Sequence, residues 1–444
     1  MLSKADADQR ILDFPSSIFS QGTIWVCGRN VDGQLLTPCK DTTFHSVSDI
    51  LPVEVSEIFP YGDSLKWIGA GDHFTILVTK SNVVYAAGQN TSGQLGLDHN
   101  KVLTEKVVRV HFFDHKNIAS ISCGAYYTFF MEEIGDSQIV YVCGKNNSGQ
   151  LGITYNEDED NLIFPPHNLN LSFIENDRIE KIVCGYETTL ILCKSGKLYG
   201  AGANTTNQLA RPSSDPLLHK SGSFELCNFE SLISDHEKII DVSLGTSYVL
   251  ILTDIGNVYS NVNTSYPFFK RIGLNSSPFS KIHFGASNAY LKISDNHPNE
   301  DIAGKITQLL IDNQSGSFDN NLNILDPVIN NSDTNIAIMS GLTGFFFISA
   351  DYSQVFSLGS SGSGELGYIV HSVPVPERNF IVETIISRTR SSSNRELEPK
   401  IVCGYSHTLL YFSDVRSRNY LLFVANMEKH SHTTTYLCDI SFVF

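Results

Sequence analysis

A single short motif recurs along the chain and leaves few folds open to it. WVCGRNVDGQLL (25–36) returns as YAAGQNTSGQLGL (85–97) and YVCGKNNSGQLGI (141–153). Weaker copies are YGAGANTTNQLA (199–210) and FSLGSSGSGELGY (356–368). A second element precedes most of them, in which an apolar run, a small residue and a Gly lead into another apolar run. It appears as WIGAGDHFTILVT (67–79), ISCGAYYTFFM (121–131), IVCGYETTLIL (182–192), VSLGTSYVLIL (242–252), IHFGASNAYLKI (282–293), IMSGLTGFFFI (338–348) and IVCGYSHTLLY (401–411). Its glycines, Gly71, Gly124, Gly185, Gly245, Gly285, Gly341 and Gly404, stand 40 to 63 residues apart. Seven copies at that period suit a propeller of small sheets and exceed most solenoid units. Short β-branched and aromatic runs fill each unit, with no amphipathic helix of useful length between them, so the expected fold class is all-β.

Each unit has a physical logic. The first run lies where sheets converge on an axis and side chains must be small; Ala70, Cys123, Cys184, Ser340 and Cys403 fit, whereas Leu244 and Phe284 do not. In G-x-N-x-x-G-Q-L, Asn can cap a turn through its side chain and Gly accepts positive φ. The chain opens on the second half of a unit, TIWVCGRNVDGQLL, followed by LPVEV (51–55), and KIVCGYSHTLLYF (400–412) supplies a first half. The expectation is therefore a seven-bladed β-propeller over 22–426. Its closing blade joins about 22–58 to 398–413, which removes an open sheet edge. NYLLFVAN (419–426) competes as a third strand for that blade. Residues 1–21 are then an N-terminal tail and 427–444 a C-terminal extension. The polar stretches 154–178, 294–335 and 387–396 are expected to be blade insertions in loop form.

The pairing of CGxxxT with VYxxGxNxxGQLG resembles the regulator of chromosome condensation repeat family, over roughly Gly22 to Ser413. That resemblance implies a seven-bladed β-propeller. The family's founding member is a guanine nucleotide exchange factor for the small GTPase Ran. By resemblance, Asp72, His73 and Glu187 match its acidic and histidine GTPase contacts. Such exchange needs no bond chemistry, because the factor stabilises the nucleotide-free GTPase. The present chain departs from the founding member in two ways. Its first residues carry Lys4 and Arg10 against three Asp, not a basic tail. It also has no evident wedge insertion; the acidic stretch 154–178 is the nearest candidate.

Charge and cysteine usage bound the function further. The 444 residues carry 31 Lys+Arg against 47 Asp+Glu, a net charge of −16, which disfavours phosphate backbones, so no direct nucleic acid is expected. No run of about 18 apolar residues suggests a membrane span, and MLSKADADQR lacks a signal-peptide core. The nine cysteines are odd in number and hold no C-x-x-C, which suits a reducing compartment, cytoplasmic or nuclear.

Signals of chemistry dissolve into the repeat. Gly362-Ser363-Gly364-Glu365-Leu366-Gly367 fits G-x-G-x-x-G but aligns with the GQLG turns and has no β-α-β setting. Asn90-Thr91-Ser92, Asn146-Asn147-Ser148 and Asn204-Thr205-Thr206 fit the glycosylation pattern yet are repeat turns. Cys123, Cys184 and Cys403 share one repeat position and read as small fillers. His407 occupies a G-x-x-H-T position whose counterparts are Phe74, Tyr127, Thr188, Tyr248, Asn288 and Gly344, so it is expected to pack or hydrogen-bond within its own blade. Ser391, Ser392 and Ser393 beside Arg388, Arg390 and Arg395 fit a phosphorylated loop or a plain flexible insertion. No catalytic, cofactor-binding or metal-ligating residue is expected, and the chain is not expected to be an enzyme.

What is left is surface. The two residues after each repeat Gly form a hairpin tip: Asp72-His73, Ala125-Tyr126, Tyr186-Glu187, Thr246-Ser247, Ala286-Ser287, Leu342-Thr343 and Tyr405-Ser406. Asp72, His73, Tyr126, Tyr186, Glu187, Tyr405 and Ser406 are the candidate partner-binding face, since aromatics dominate binding hot spots. The expected function is a non-enzymatic protein–protein interaction or regulatory scaffold acting as a monomer, with Ran-type exchange on a small GTPase as the alternative.

Overall fold

The computed structural model describes residues 3–414 apart from 13, 38–45, 60–61, 99–102, 155–160, 211–219, 230–232, 235, 247, 262–268, 273–277, 285–287, 297–305, 311–322, 325–336, 341–343, 350, 362–365, 367–369, 394–395 and 405–406. Its framework is an all-β propeller. Six four-stranded antiparallel blades each come from one continuous stretch of chain, starting at Leu65, Ile118, Ile179, Ile239, Phe279 and Ala337. A further four-stranded sheet is composite, in the order Ser46–Glu54, Thr23–Arg29, His407–Asp414, Leu397–Cys403. Trp25 there pairs with Leu410 and Gly28 with His407, joining strands nearly 400 residues apart in sequence. The first strands of neighbouring sheets touch all the way round, Leu397–Cys403 against Leu65–Ala70 included.

Among the described residues the first strands end one residue before the repeat Gly, at Ala70, Cys123, Cys184, Leu244 and Cys403, and the backbone there makes a tight hairpin. Gly71, Gly124, Gly185, Gly245 and Gly404 donate their N–H to the carbonyl of the residue three further on, at 2.8–2.9 Å. Between adjacent sheets the apolar side chains pack in wedges. Ile24, Val26, Leu65, Ile68 and Leu77 share one cluster, and Phe129, Val142, Ile179 and Ile191 share another. Alternating strand residues thus bury both faces of each inner sheet, which is why the second strands read as unbroken apolar runs.

The G-x-N-x-x-G-Q-L segments close the third strands by side-chain hydrogen bonds. Asn30, Asn90, Asn146 and Asn204 accept the N–H of Leu35, Leu95, Leu151 and Leu209 on Oδ1 at 2.8–3.0 Å. The Gln Oε1 accepts the N–H two residues before it, for Gln34, Gln94, Gln150 and Gln208 alike. The main-chain carbonyls of Gln34 and Gln94 then take the hydroxyls of Thr75 and Thr128 from the next blade, both at 2.8 Å. One motif therefore folds its own turn and ties two blades. Asn90 and Asn146 are fully buried, so the glycosylation pattern there is turn chemistry.

Several expectations need correction. Besides the single turn Val55–Ile58, two longer helices interrupt the all-β pattern among the described residues: Lys4–Leu12, in the stretch expected to be a tail, and Phe380–Ser392, which follows the last strand of the sixth blade. The second helix takes in most of the expected insertion 387–396. It starts because the Asn379 side chain accepts the Val382 N–H at 3.2 Å, and it persists because Ile381, Val382, Ile385 and Ile386 are buried on one face. Those residues join Ala7, Ile11, Ile18, Phe19 and Trp25 in one core cluster, so the N-terminal helix is packed rather than loose. Residues 154–178 are not a loop throughout, since Leu162–Asn168 is the outer strand of its blade. Within 294–335, Ile306–Leu310 and Asn323–Ile324 are strands. The acidic run 157–160, the segment 419–426 and the extension 427–444 lie outside the described residues.

Candidate functional site

Three consecutive hairpin tips and the turn beside them form a continuous polar belt. The third-strand glycines put the tips in place. Gly88, Gly144 and Gly202 have φ near 105°, and a side chain on them would strike the carbonyl of His73, Tyr126 or Glu187 at 2.2–2.4 Å. Bare backbone there lets Gln89, Lys145 and Ala203 donate their N–H to those same carbonyls at 2.8–2.9 Å. The tips are also linked to each other, the Asp72 N–H reaching the Ala125 carbonyl at 3.2 Å. Side chains on this belt are thus held by rigid backbone on both sides.

At one end His73 is bracketed by carboxylates. Its Nδ1 lies 2.9 Å from Asp32 Oδ2 and its Nε2 lies 3.3 Å from Asp72 Oδ1. Asp72 is 6 % exposed, a buried residue where the tip pattern suggested an open one. Burial pushes its carboxyl up from the ordinary value, against the pull of His73 and a hydrogen bond from Tyr126. The Tyr126 phenol is held well above its usual value by burial first and then by Asp72. Its ring meets Tyr186 edge-on, with centroids 6.2 Å apart, and Tyr186 is 39 % exposed. At the far end Lys145 Nζ stands 5.7 Å over the Tyr126 ring and 3.7 Å from Glu187, whose other oxygen accepts the Ser148 hydroxyl at 3.0 Å.

Asp72, His73, Tyr126, Tyr186 and Glu187 are therefore brought together. Tyr405 and Ser406 lie outside the described residues, as do Ser247, Ala286, Ser287, Leu342 and Thr343. Asp32, Lys145 and Ser148 were not foreseen. Asp32 and Ser148 sit in G-x-N-x-x-G-Q-L turns, and Lys145 follows the third-strand Gly; the register that pairs Lys145 with the Tyr126 carbonyl carries them to the tip face. The belt thus holds Asp32, Asp72 and Glu187 together with His73 and Lys145, and the charge of Arg29 is also felt at Asp72.

The remaining candidates resolve as structure. Burial pushes the Cys184 and Cys403 thiols up to about 12, and Cys123 rises as well, so these positions stay thiols. His407 is buried, and its Nε2 lies 3.2 Å from Thr75 Oγ1, across the sheet boundary and not within its own blade. Tyr127, at the equivalent repeat position, likewise reaches the next blade, donating to the Thr188 carbonyl at 2.8 Å. Among the described residues no group of three or more His, Cys, Asp or Glu is placed to hold a metal ion, and no helix is long and apolar enough to cross a membrane. Of the G-x-G-x-x-G stretch only Leu366 is described, and it is buried.

Comparison with known proteins gives matching results. The family described as Regulator of chromosome condensation (RCC1) repeat matches residues 81–131 and 139–192, and a second model of the same description matches 179–208. Ultraviolet-B receptor UVR8 of Arabidopsis thaliana is 28 % identical over 247 residues, covering 55 % of this chain and 50 % of the relative. Secretion-regulating guanine nucleotide exchange factor of Bos taurus is 27 % identical over 187 residues, covering 42 % and 37 %. The chain thus spans half or less of the length of these relatives. Among solved structures, human WBSCR16 superposes with a TM-score of 0.66 at 15 % identity, covering 88 % of this chain and all of that one. Prp20p from Saccharomyces cerevisiae gives 0.64 at 14 % identity, covering 94 % and 98 %. At such identities the likeness is one of fold.

Proposed function

We propose that this chain, an RCC1-like propeller by its repeats and its fold, is a protein-interaction module that engages a partner through the belt from Asp32 to Glu187. The composite sheet is then the seventh blade that closes the ring, and it keeps neighbouring tips at fixed spacing. The observation that supports an interaction role most directly is the edge-on Tyr126–Tyr186 pair, half open to solvent and flanked by Asp72 and Glu187. Rigid tyrosines offer contact area at small entropic cost, and flanking carboxylates favour a lysine or arginine side chain on the partner. Such a role uses binding alone, with no bond made or broken, and fits a cytoplasmic or nuclear protein.

Exchange on a Ran-type GTPase is the second reading. It is favoured by Prp20p, whose structure is described with its binding to Gsp1p and histones, and by the match to a secretion-regulating exchange factor. One experiment separates the two. The intact chain is added to Ran loaded with fluorescent GDP, and binding is measured in parallel by titration against Ran and against a histone-tail peptide. An interaction module binds one of these without accelerating GDP release, whereas an exchange factor accelerates release. Tyr126→Ala with Tyr186→Ala is expected to weaken whichever binding is seen by roughly 100-fold or more, a loss of about 3 kcal/mol at a hot-spot pair. Undiminished binding in the double variant moves the contact off this face.

A further inference from the structure

The helix Phe380–Ser392 carries a run of serines and arginines at its C-terminal end that the partner-binding belt does not use. Two features of this end matter. First, it holds down the N-terminal segment. The Ser392 hydroxyl donates to the Phe19 carbonyl, the Arg388 guanidinium lies 5.3 Å over the Phe19 ring, and Arg388 Nη1 reaches the Ile11 carbonyl at 3.5 Å. Thr384 adds a hydrogen bond to Asp8 at 2.9 Å. Phe19 in turn packs on Trp25 with centroids 5.4 Å apart, and Phe14 meets the same indole edge-on at 5.7 Å. Trp25 belongs to the strand that pairs with His407–Asp414, so these ties anchor the N-terminal segment to the composite sheet. Second, Ser391 and Ser392 are exposed to solvent, with Arg388 and Arg390 upstream.

We infer that Ser392 is a phosphorylation site whose modification releases the N-terminal helix Lys4–Leu12 and residues 14–19 from the composite sheet. The reagent would be MgATP with a serine/threonine kinase that reads arginines N-terminal to its acceptor. Ser392 Oγ attacks the γ-phosphorus, the bond to the ADP oxygen breaks, and the hydroxyl proton leaves to the kinase's base. A phosphate ester has only acceptors to offer, so it cannot replace the hydroxyl's donation to the Phe19 carbonyl and repels that oxygen instead. It also stands one helical turn after Arg388, the spacing at which a phosphate captures a guanidinium, which draws Arg388 away from Phe19 and Ile11. Negative charge at a helix C-terminus opposes the helix dipole and loosens the last turn. All three effects act in the same direction. The Ser392 hydroxyl also lies 3.0 Å from the Thr389 carbonyl of its own helix, but it alone of the two serines reaches the N-terminal segment, since the Ser391 hydroxyl bonds the Ser387 carbonyl at 2.7 Å.

The test treats the full chain with MgATP and an arginine-directed kinase, maps phosphate by mass spectrometry, and follows amide hydrogen exchange. Phosphate is expected on Ser392, with exchange of residues 5–19 faster by about tenfold or more, the loss of one to two interactions, and exchange in 118–193 unchanged. Ser392→Ala should abolish the kinase-dependent change, and Ser392→Asp should reproduce part of it without kinase. Phosphate confined to Ser391 or Ser393, or Ser392 phosphate with unchanged exchange at 5–19, overturns the inference.

Discussion

Gly144→Ala is expected to lower the unfolding free energy by roughly 2–6 kcal/mol, the sum of a strained backbone and an overpacked contact. Gly144 sits at φ 109°, and an added Cβ would come within 2.4 Å of the Tyr126 carbonyl and 2.5 Å of the Tyr127 Cα. Neither contact atom is the flexible end of a side chain, so the hairpin itself must move. That movement breaks the hydrogen bond from the Lys145 N–H to the Tyr126 carbonyl and shifts the tip on which Tyr126 stands. Stability and partner binding should fall together. Gly135→Ala is the control: its φ is 58°, nothing lies within 4 Å of an added Cβ, and a cost of about 1 kcal/mol is expected from left-handed backbone alone. Urea unfolding of both variants decides the matter. Equal losses would mean that the close approach at the tip contributes nothing.

The same glycine shows why much of the fold was legible. A backbone position that excludes Cβ leaves a mark in sequence, and so does a buried Asn that must cap a turn. Where such demands repeat, as at Gly28, Gly88, Gly144 and Gly202, the blade period can be read directly. Even imperfect copies obey them, since Asn207 and Ala210 adopt the positive φ of the glycines they replace. Elements without such marks were missed. Phe380–Ile386 is rich in β-branched residues, which favour strands, and its helical state depends on the Asn379 cap and on burial against the N-terminal helix. Ile306–Leu310 is a strand paired with Asn288–Ile293 on one side and Asn323–Ile324 on the other, a long-range setting that its own residues do not mark.

Legibility of the candidate site divides along similar lines. The tips follow from the repeat register alone, so Asp72, His73, Tyr126, Tyr186 and Glu187 could be named in advance. Asp32 and Ser148 belong to turns whose side chains reach a neighbouring tip only once two blades are docked. The burial of Asp72 has the same origin: its walls are His73 and Tyr126, one of them from the next blade, and no local pattern encodes them.

Acid should weaken this fold at a higher pH than carboxylate protonation alone would predict, and His407 is the reason. Burial, aided by the nearby His73, lowers its pKa from 6.5 to about 3. Thr75 already donates its hydroxyl proton to the Gln34 carbonyl, so its lone pair receives the Nε2–H of a neutral imidazole. Protonating Nδ1 would place a charge on a buried ring edge packed against Gly404, at an atom that has no hydrogen-bond partner. In the unfolded chain the same imidazole takes a proton near pH 6.5, so between about 6.5 and 3 the unfolded state binds more protons and stability falls with pH. At 1.36 kcal/mol per pH unit, the loss from His407 between pH 6.5 and 5 is about 2 kcal/mol. His283, lowered to about 4 by burial and nearby lysines, adds to the same trend. The carboxylate of Asp351, lowered to about 2 by the Ser349 and Ser353 hydrogen bonds, acts only below its ordinary value of 3.8 and leaves the upper window to the histidines. His407→Gln keeps a donor toward Thr75 without a titrating group. Its urea midpoint should therefore decline less than the wild type's between pH 7 and 5, and parallel declines would assign the acid sensitivity elsewhere.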